Sequence, residues 1–465
     1  MDRPGTTQRP LRVAVIGSGP AGFYTVQQLL QRKGLEVEID VLDRLPAPFG
    51  LVRYGVAPDH AKIKNVIAVY DKLARDPRVR FYGQVEYGTT LSRSDLERHF
   101  DQAVFCTGAQ TDRRLGIPGE DLAGSHPATD FVAWYNGHPD YADRQFDLGC
   151  ETALVIGVGN VAVDVARILC RTAEELASTD IADHALVALR SSRVRTVVLV
   201  GRRGPAQAAF TPPEVEELGE LPDASASTVP AEVELDARTR QALGPAPDKG
   251  TLRKIELLQS YAGRLEPAKG RRLQLRFLLS PVEIVPGPHG EVAAVRLARN
   301  RIELDAAGEV RAVATDETET LAAGLVFRSV GYRGVALPEL PFDDRRGTIP
   351  HERGRIRGAA GELLPGLYVS GWIKRGPSGV IGTNKPDAAE TVERMLEDLA
   401  AGTLAHPASP SRAAFESSLR ERTGRWVSYD DWRRLDALEI EAGRAQGRPR
   451  RKLVQYEEFR RGLAD

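Results

Sequence analysis

The stretch LRVAVIGSGPAGFYTVQQLLQRKG, Leu11 to Gly34, changes its period halfway along. Val13 to Ile16 form a continuous apolar run, the pattern of a strand buried on both faces. Glycines follow at the spacing G-x-G-x-x-G: Gly17, Gly19 and Gly22, with Ser18, Pro20 and Ala21 between them. Beyond the turn, Val26, Leu29 and Leu30 mark the apolar side of a helix. Strand, glycine turn and helix open a dinucleotide-binding unit. There Gly17 makes the tight turn, Gly19 lets a pyrophosphate approach the backbone, and Gly22 allows the helix to pack closely on the strand. The helix N-terminus offers unpaired N–H groups and a favourable dipole to the phosphates. The spacing alone is a weak signal. It gains weight from the next strand, EVEIDVLD, which ends on Asp43, an acid placed to hold a ribose diol.

The same grammar recurs at TALVIGVGNVAVDVARILCR, from Thr152 to Arg171. Gly157, Val158, Gly159, Asn160, Val161 and Ala162 make the G-x-G-x-x-A variant of the fingerprint. Its second strand, RVRTVVLVGRRGP, ends on Arg202 and Arg203 where the first unit has its acid. An acid there would repel a 2′-phosphate, whereas two guanidinium groups pair with it. Each charge-assisted bond contributes about 1.5–3 kcal/mol. The pair therefore favours the phosphorylated nucleotide by about two to four powers of ten. The acid-ended unit suits a nucleotide without a 2′-phosphate, such as FAD, and the arginine-ended unit suits NADP(H). A chain that holds both is built to pass a hydride between them.

The 465 residues fit two domains of ordinary size, with 42% hydrophobic and 27% charged residues. A net charge of −1 gives no global field toward nucleic acid or an anionic membrane. No apolar run reaches the ~18 residues of a membrane span, and MDRPGTTQRP reads as a loose polar tail. Cys106, Cys150 and Cys170 are too far apart for a C-x-x-C pair, a zinc cluster or a disulfide framework. No metal site is expected, and a reducing, cytoplasmic setting is. Alternating strands and helices predict an α/β fold of two Rossmann-like, doubly wound parallel sheets. Residues 221–250, rich in Pro, Ala and Asp, are expected to loop out. LQLRFLLSPVEIVPG and EVAAVRLARNRIEL are expected to form an antiparallel ribbon, and the last fifty residues to be helical.

Longer motifs converge on one family. PAPFGLVRYGVAPDHAKIKNV, GVGNVAVDVARILCR, GRRGPAQAAFTPPE, GWIKRGPSGVIGTNKPDAAETV and GRPRRKL together resemble the adrenodoxin reductase-type ferredoxin–NADP reductases, relatives of glutathione reductase. The resemblance runs from Leu11 to Leu453. It implies a discontinuous FAD-binding domain, residues 11–108 and 332–465, behind a tail of residues 1–10. The NADP-binding domain, residues 109–331, is inserted between the two parts. By resemblance, FAD is held by the Gly17–Gly22 loop, Asp43, Leu51, Val85, Trp372, Gly379, Val380 and Ile381. NADP is held by Gly157, Val158, Gly159, Asn160, Val161, Arg202, Arg203 and Glu214, with Gly379 at the junction. Asp43 stands where the family usually has Glu. Two prolines precede Glu214, which leaves Glu216 and Glu217 as rivals for its role.

The resemblance implies hydride transfer from NADPH to FAD, then single electrons to a ferredoxin-type iron–sulfur protein. Disulfide reductases of this fold use a C-x-x-C pair; without one, electrons leave the flavin directly. His60, in APDH, is the candidate polar group beside the flavin, paired with an acid such as Glu214 to orient nicotinamide or handle a proton. Trp372 is expected to pack on the cofactor with one hydrogen bond to give. Arg190, Arg193 and Arg195, with Lys374 and Arg375, are candidates for docking an acidic ferredoxin. Two other readings use the same fold: an NADPH-dependent diaphorase or quinone reductase, and a nucleotide-sensing flavoprotein without turnover.

Overall fold

The computed structural model describes residues 3–264 and 269–464. The first glycine fingerprint lies in a seven-stranded sheet. Its parallel part runs Leu363–Val369, Gln102–Phe105, Leu11–Ile16, Val37–Asp43 and Val79–Gly83, and Arg355–Arg357 and His351–Glu352 extend it antiparallel. Leu11–Ile16 is buried at every residue, as a central strand covered on both faces must be. Val13 lies opposite Ile39 on one side and Gln102 on the other. The second fingerprint lies in a six-stranded parallel sheet. Its order is Ser125–Pro127, Leu325–Arg328, Thr152–Ile156, Thr196–Val200, Arg271–Arg276 and Ala224–Thr228.

The first sheet takes strands from both ends of the chain, and the second only from the middle. The two chain crossings pair with each other. Thr111–Asp112 runs antiparallel to Tyr332–Arg333, so the chain leaves and returns side by side. Each sheet has its own buried core. One packs Phe131, Trp134, Val163 and Leu199 around the six-stranded sheet. The other packs Phe23, Tyr70, Val41 and Trp432 around the seven-stranded sheet, with the Phe23 and Tyr70 rings stacked at 4.9 Å.

Three expectations are corrected. Residues 221–250 do not loop out. They supply the edge strand Ala224–Thr228 and the short helices Pro230–Val233 and Ala237–Leu243. The strand is ASAST, too small and polar to signal itself by apolar pattern, yet a sheet edge needs only its backbone. Arg271–Arg276 belongs to the parallel sheet and not to the ribbon. The ribbon is three-stranded, Leu279–Pro286, Val292–Leu304 and Val310–Ala322. Its third strand is mostly exposed, so selection for apolar residues left no mark on it.

The helices Arg412–Thr423, Tyr429–Arg444 and Tyr456–Arg461 account for much of the last fifty residues. In the stretch read as a loose tail, Arg9 is paired with the buried Asp101 at 2.7 Å. Among the described residues no helix is long and apolar enough to cross a membrane.

Candidate functional site

Several helices here begin on a side chain that caps them. Ser92, Thr172 and Ser428 each close a capping box. The helices Pro20–Leu30 and Asn160–Cys170 begin on Gly19 and Gly159 with no side-chain cap. Their first N–H groups are thereby left for a ligand. The glycines before them are sterically obligatory. Gly17 has φ +106°, and a Cβ there would lie 2.6 Å from the carbonyl oxygen of Cys106. Gly157 has φ +135°, and a Cβ would overlap the carbonyl of Ser329. A Cβ on Gly22 would overlap the carbonyl of Gly17, which is the close helix–strand approach that position serves.

At the first loop, Asp43 closes the strand Val37–Asp43. Its Oδ2 accepts from the N–H of Ser18 at 2.8 Å and from the Ser18 hydroxyl at 2.5 Å, and its Oδ1 accepts from the N–H of Leu45 at 3.0 Å. The shorter acid thus grips the fingerprint loop itself. Val85 is buried, and its N–H donates to the carbonyl of Asp43 at 2.9 Å. Gly50, at φ +49°, crosses over the loop with its Cα 3.9 Å from the Cβ position of Gly19. It also caps the short helix Leu51–Tyr54, and the N–H of Phe49 donates to the carbonyl of Ser18 at 3.0 Å.

From the other end of the chain comes the loop 371–383. Gly371 (φ +82°) starts the helix Trp372–Arg375, and its N–H donates to Asp387 at 2.5 Å. Trp372 lies 5.3 Å from the ring of Tyr332. Its indole N–H donates to the carbonyl of Ser378 at 3.1 Å, so the donor expected for a cofactor is already used. Gly379 has φ +77°. Val380 is 56% exposed, and Ile381 opens the turn that leads into the helix Asn384–Ala401. The uncapped N-terminus of Pro20–Leu30, the left-handed turn at Gly379 and the exposed apolar Val380 fit a flavin nucleotide.

At the second loop no atom lies within 4 Å of the Cβ position of Gly159. Asn160 begins the helix, and its buried Oδ1 has no hydrogen-bond partner among the described residues. Val158 accepts on its carbonyl from the N–H of Ala209 at 2.8 Å, and Val161 packs against the core of this sheet. Arg202 is exposed and Arg203 half-buried just beyond Thr196–Val200. Among the described residues neither guanidinium has an ion-pair partner. Burial, then the neighbouring charge of Arg202, lowers the pKa of Arg203 below its ordinary value. An anion at this point would relieve that repulsion.

His60 sits where the two sheets' elements meet. Its Nε2 lies 2.8 Å from Glu217 Oε2, and its Nδ1 lies 3.8 Å from Asp164 Oδ1. Glu214, the acid expected to pair with it, instead accepts from the N–H and hydroxyl of Thr211 at 2.9 and 3.0 Å, capping the helix Pro212–Gly219. Burial raises the Glu214 carboxyl, against those Thr211 bonds. Beside His60, Asp59 takes the fork of the fully buried Arg167 at 2.7 and 3.1 Å and Nε of Arg171 at 2.9 Å. Burial opposes the charge on Asp59, but these arginines outweigh it and hold its carboxyl below the usual range. Arg167 also reaches Asp164 at 2.6 Å. Asp164 and Arg167 lie within the motif GVGNVAVDVARILCR, but nothing in it marked them as neighbours of His60, and Glu217 stood only among the rivals to Glu214. The helical spacing of Asn160, Asp164 and Arg167, four and then three residues apart, was the available signal that they share one face.

Two of the expected docking cations are engaged within the protein. Lys374 is 4% exposed and pairs with Asp387 and Glu390. Arg375 binds Asn384, Thr383 and the carbonyl of Ser378. Both brace the loop 371–383. Arg190, Arg193 and Arg195 are exposed.

Two Rossmann-type sheets, each with a glycine fingerprint, joined by paired crossings and meeting at His60, have the architecture of the pyridine-nucleotide oxidoreductases. The family model for pyridine nucleotide-disulphide oxidoreductases matches residues 11–200. Over 97% of its length the chain is 46% identical to the NADPH-ferredoxin reductase FprA of Mycobacterium tuberculosis, covering 99% of that protein. It is 44% identical to the human mitochondrial NADPH:adrenodoxin oxidoreductase, over 98% of this chain and 93% of that one. Mycobacterium tuberculosis FprA in complex with NADPH superposes with a TM-score of 0.92 at 44% identity, over 98% of this chain and all of that one. The chain belongs to the NADPH–ferredoxin reductases of the adrenodoxin reductase type.

Proposed function

We propose that the chain is an NADPH-dependent reductase of a ferredoxin-type iron–sulfur protein, working through FAD. It is an oxidoreductase of the ferredoxin–NADP reductase class. The observation that carries this reading is the pair of uncapped fingerprint helices, one unit ending on Asp43 and the other on Arg202 and Arg203. A bound flavin takes a hydride's two electrons together and releases them singly, as an iron–sulfur acceptor requires.

The residues supply position and charge. The N–H groups after Gly19 hold the FAD pyrophosphate, and Asp43, Leu51, Val85, Trp372 and the Gly379–Ile381 turn shape the rest of that site. The N–H groups after Gly159 hold the NADPH pyrophosphate, with Asn160 and Val161 beside it, and Arg202 and Arg203 take the 2′-phosphate. His60, held by Glu217, orients the nicotinamide at the seam. The FAD-binding part comprises residues 11–108 and 332–465, and the NADP-binding part 109–331; the paired strands Thr111–Asp112 and Tyr332–Arg333 support this division. Arg190, Arg193 and Arg195 offer a basic face to an acidic ferredoxin, and docking there weakens as salt rises. Cysteine usage supports a reducing compartment, and we place the protein in the cytoplasm.

Purified protein should be yellow, bleach anaerobically with NADPH, and reduce cytochrome c rapidly only when a ferredoxin is added. Equal rates with and without ferredoxin would exclude the iron–sulfur partner and leave a diaphorase.

A further inference from the structure

The turn that carries the arginine pair is braced from the antiparallel ribbon. Asn300 lies in the middle strand Val292–Leu304, beside the register shift against Val310–Ala322, and is 5% exposed. Its Nδ2 donates to the carbonyl of Arg202 at 2.7 Å and to the hydroxyl oxygen of Ser280 at 2.8 Å. Its main-chain N–H donates to the carbonyl of Leu278 at 2.7 Å. Leu278, in the left-handed region at φ +58°, donates its own N–H to the carbonyl of Arg203 at 3.3 Å. Both carbonyls of the pair are therefore tied to the root of the ribbon, while both guanidinium groups remain without a carboxylate partner among the described residues.

A side-chain amide suits this point. Its NH₂ group has two hydrogens for two acceptors. An apolar residue would leave the carbonyl of Arg202 unpaired. An aspartate of the same shape would set a carboxylate oxygen against that carbonyl, and its charge would compete with a phosphate for the arginines.

We propose that Asn300 is a positioning residue for coenzyme choice. By fixing the peptide planes of Arg202 and Arg203 it aims both guanidinium groups at the 2′-phosphate, and so separates NADPH from NADH. This rests on the reading that those arginines take the 2′-phosphate.

The test uses the holoenzyme, with ferricyanide as acceptor and NADPH or NADH as donor. Asn300→Ala should lower kcat/KM for NADPH about five- to ten-fold, the worth of one hydrogen bond, through KM alone. The values for NADH should stay within about two-fold, since nothing there reads the phosphate. Asn300→Asp should lower the NADPH value further. The reference variant is Arg202→Ala with Arg203→Ala. If it leaves the NADPH to NADH ratio unchanged, the arginine reading falls and the proposal with it. If it collapses the ratio while Asn300→Ala lowers both coenzymes alike or neither, the proposal alone is overturned. Should Asn300→Ala fail to give folded flavoprotein, Asn300→Ser, which brings no charge near the phosphate, carries the same comparison.

Discussion

Asp43 follows directly on Leu42 at the end of its strand, whereas Gly201 fills the matching place after Val200 and the arginine pair comes next; on the proposed reading their opposite charges sort the two nucleotides. Both were legible in the sequence because each stands at the end of the strand that follows a glycine fingerprint. The partner of His60 was not legible in the same way. Glu214 and Glu217 are one helical turn apart, and only the packing of the helix Pro212–Gly219 brings Glu217 to the imidazole and turns Glu214 back onto Thr211. The two acids should therefore separate on substitution. Glu217→Gln is expected to slow flavin reduction by NADPH about as much as His60→Gln does, roughly ten-fold. Glu214→Ala should leave that rate within about two-fold and cost about 1 kcal/mol of stability through the lost cap. Anaerobic stopped-flow traces and thermal melts of the three variants check this.

Among the elements, the fingerprint strands and helices announce themselves by period, whereas the crossings do not. Thr111–Asp112 and Tyr332–Arg333 are two residues each, too short for any periodicity. They nevertheless hold a titrating group. Burial pushes the Asp112 carboxyl up to about 6, against the hydrogen bonds it accepts from Thr129. The folded state binds that proton more tightly than the unfolded one. Its contribution is therefore fully present below the ordinary value of 3.8 and is lost as pH rises through about 6. Asp112→Asn keeps the acceptor for Thr129 without the charge. It should be more stable than the parent at pH 7 by about 1–3 kcal/mol, with the difference closing near pH 4. Paired denaturant titrations across that range measure the slope. The ribbon's outer strand and the edge strand Ala224–Thr228 escaped notice for another reason. An edge or an exposed face is specified by backbone pairing and demands no apolar side chains.

At the scale of the whole molecule, the two sheets and the C-terminal segment meet at one cation. Lys452 has a fully buried side chain. It donates to the carbonyls of Arg53 at 3.2 Å and Asn136 at 3.1 Å, and lies 3.3 Å from Asp180. Lys64 adds a second cation to Asp180 at 2.6 and 2.8 Å. Against burial, the two lysines hold the Asp180 carboxyl down to about 2. GRPRRKL thus works as a bolt between the halves: Arg448 and Arg451 both pair with Asp183, and Arg450 pairs with Glu439, which also holds Arg53. Lys452→Met should cost about 2–4 kcal/mol, because two carbonyls and part of a buried carboxylate lose their donor. Lys64 limits the loss by staying on Asp180. Thermal melts of the holoprotein would show it, and an unchanged midpoint would contradict the bolt.

The sequence by itself determined the two βαβ openings, their glycines and the charge that closes each. Those features are local: a turn needs its positive φ and a phosphate needs its N–H groups within a few residues of chain. The tertiary structure alone decided which acid meets His60, that Lys374 and Arg375 brace a loop, and that Asn300 holds the arginine turn. The His60 and Asn300 contacts join residues 157 and 98 positions apart, and those of Lys374 and Arg375 fold one loop back on itself. Their partners follow from how the sheets and the ribbon pack, and no short-range pattern carries that information.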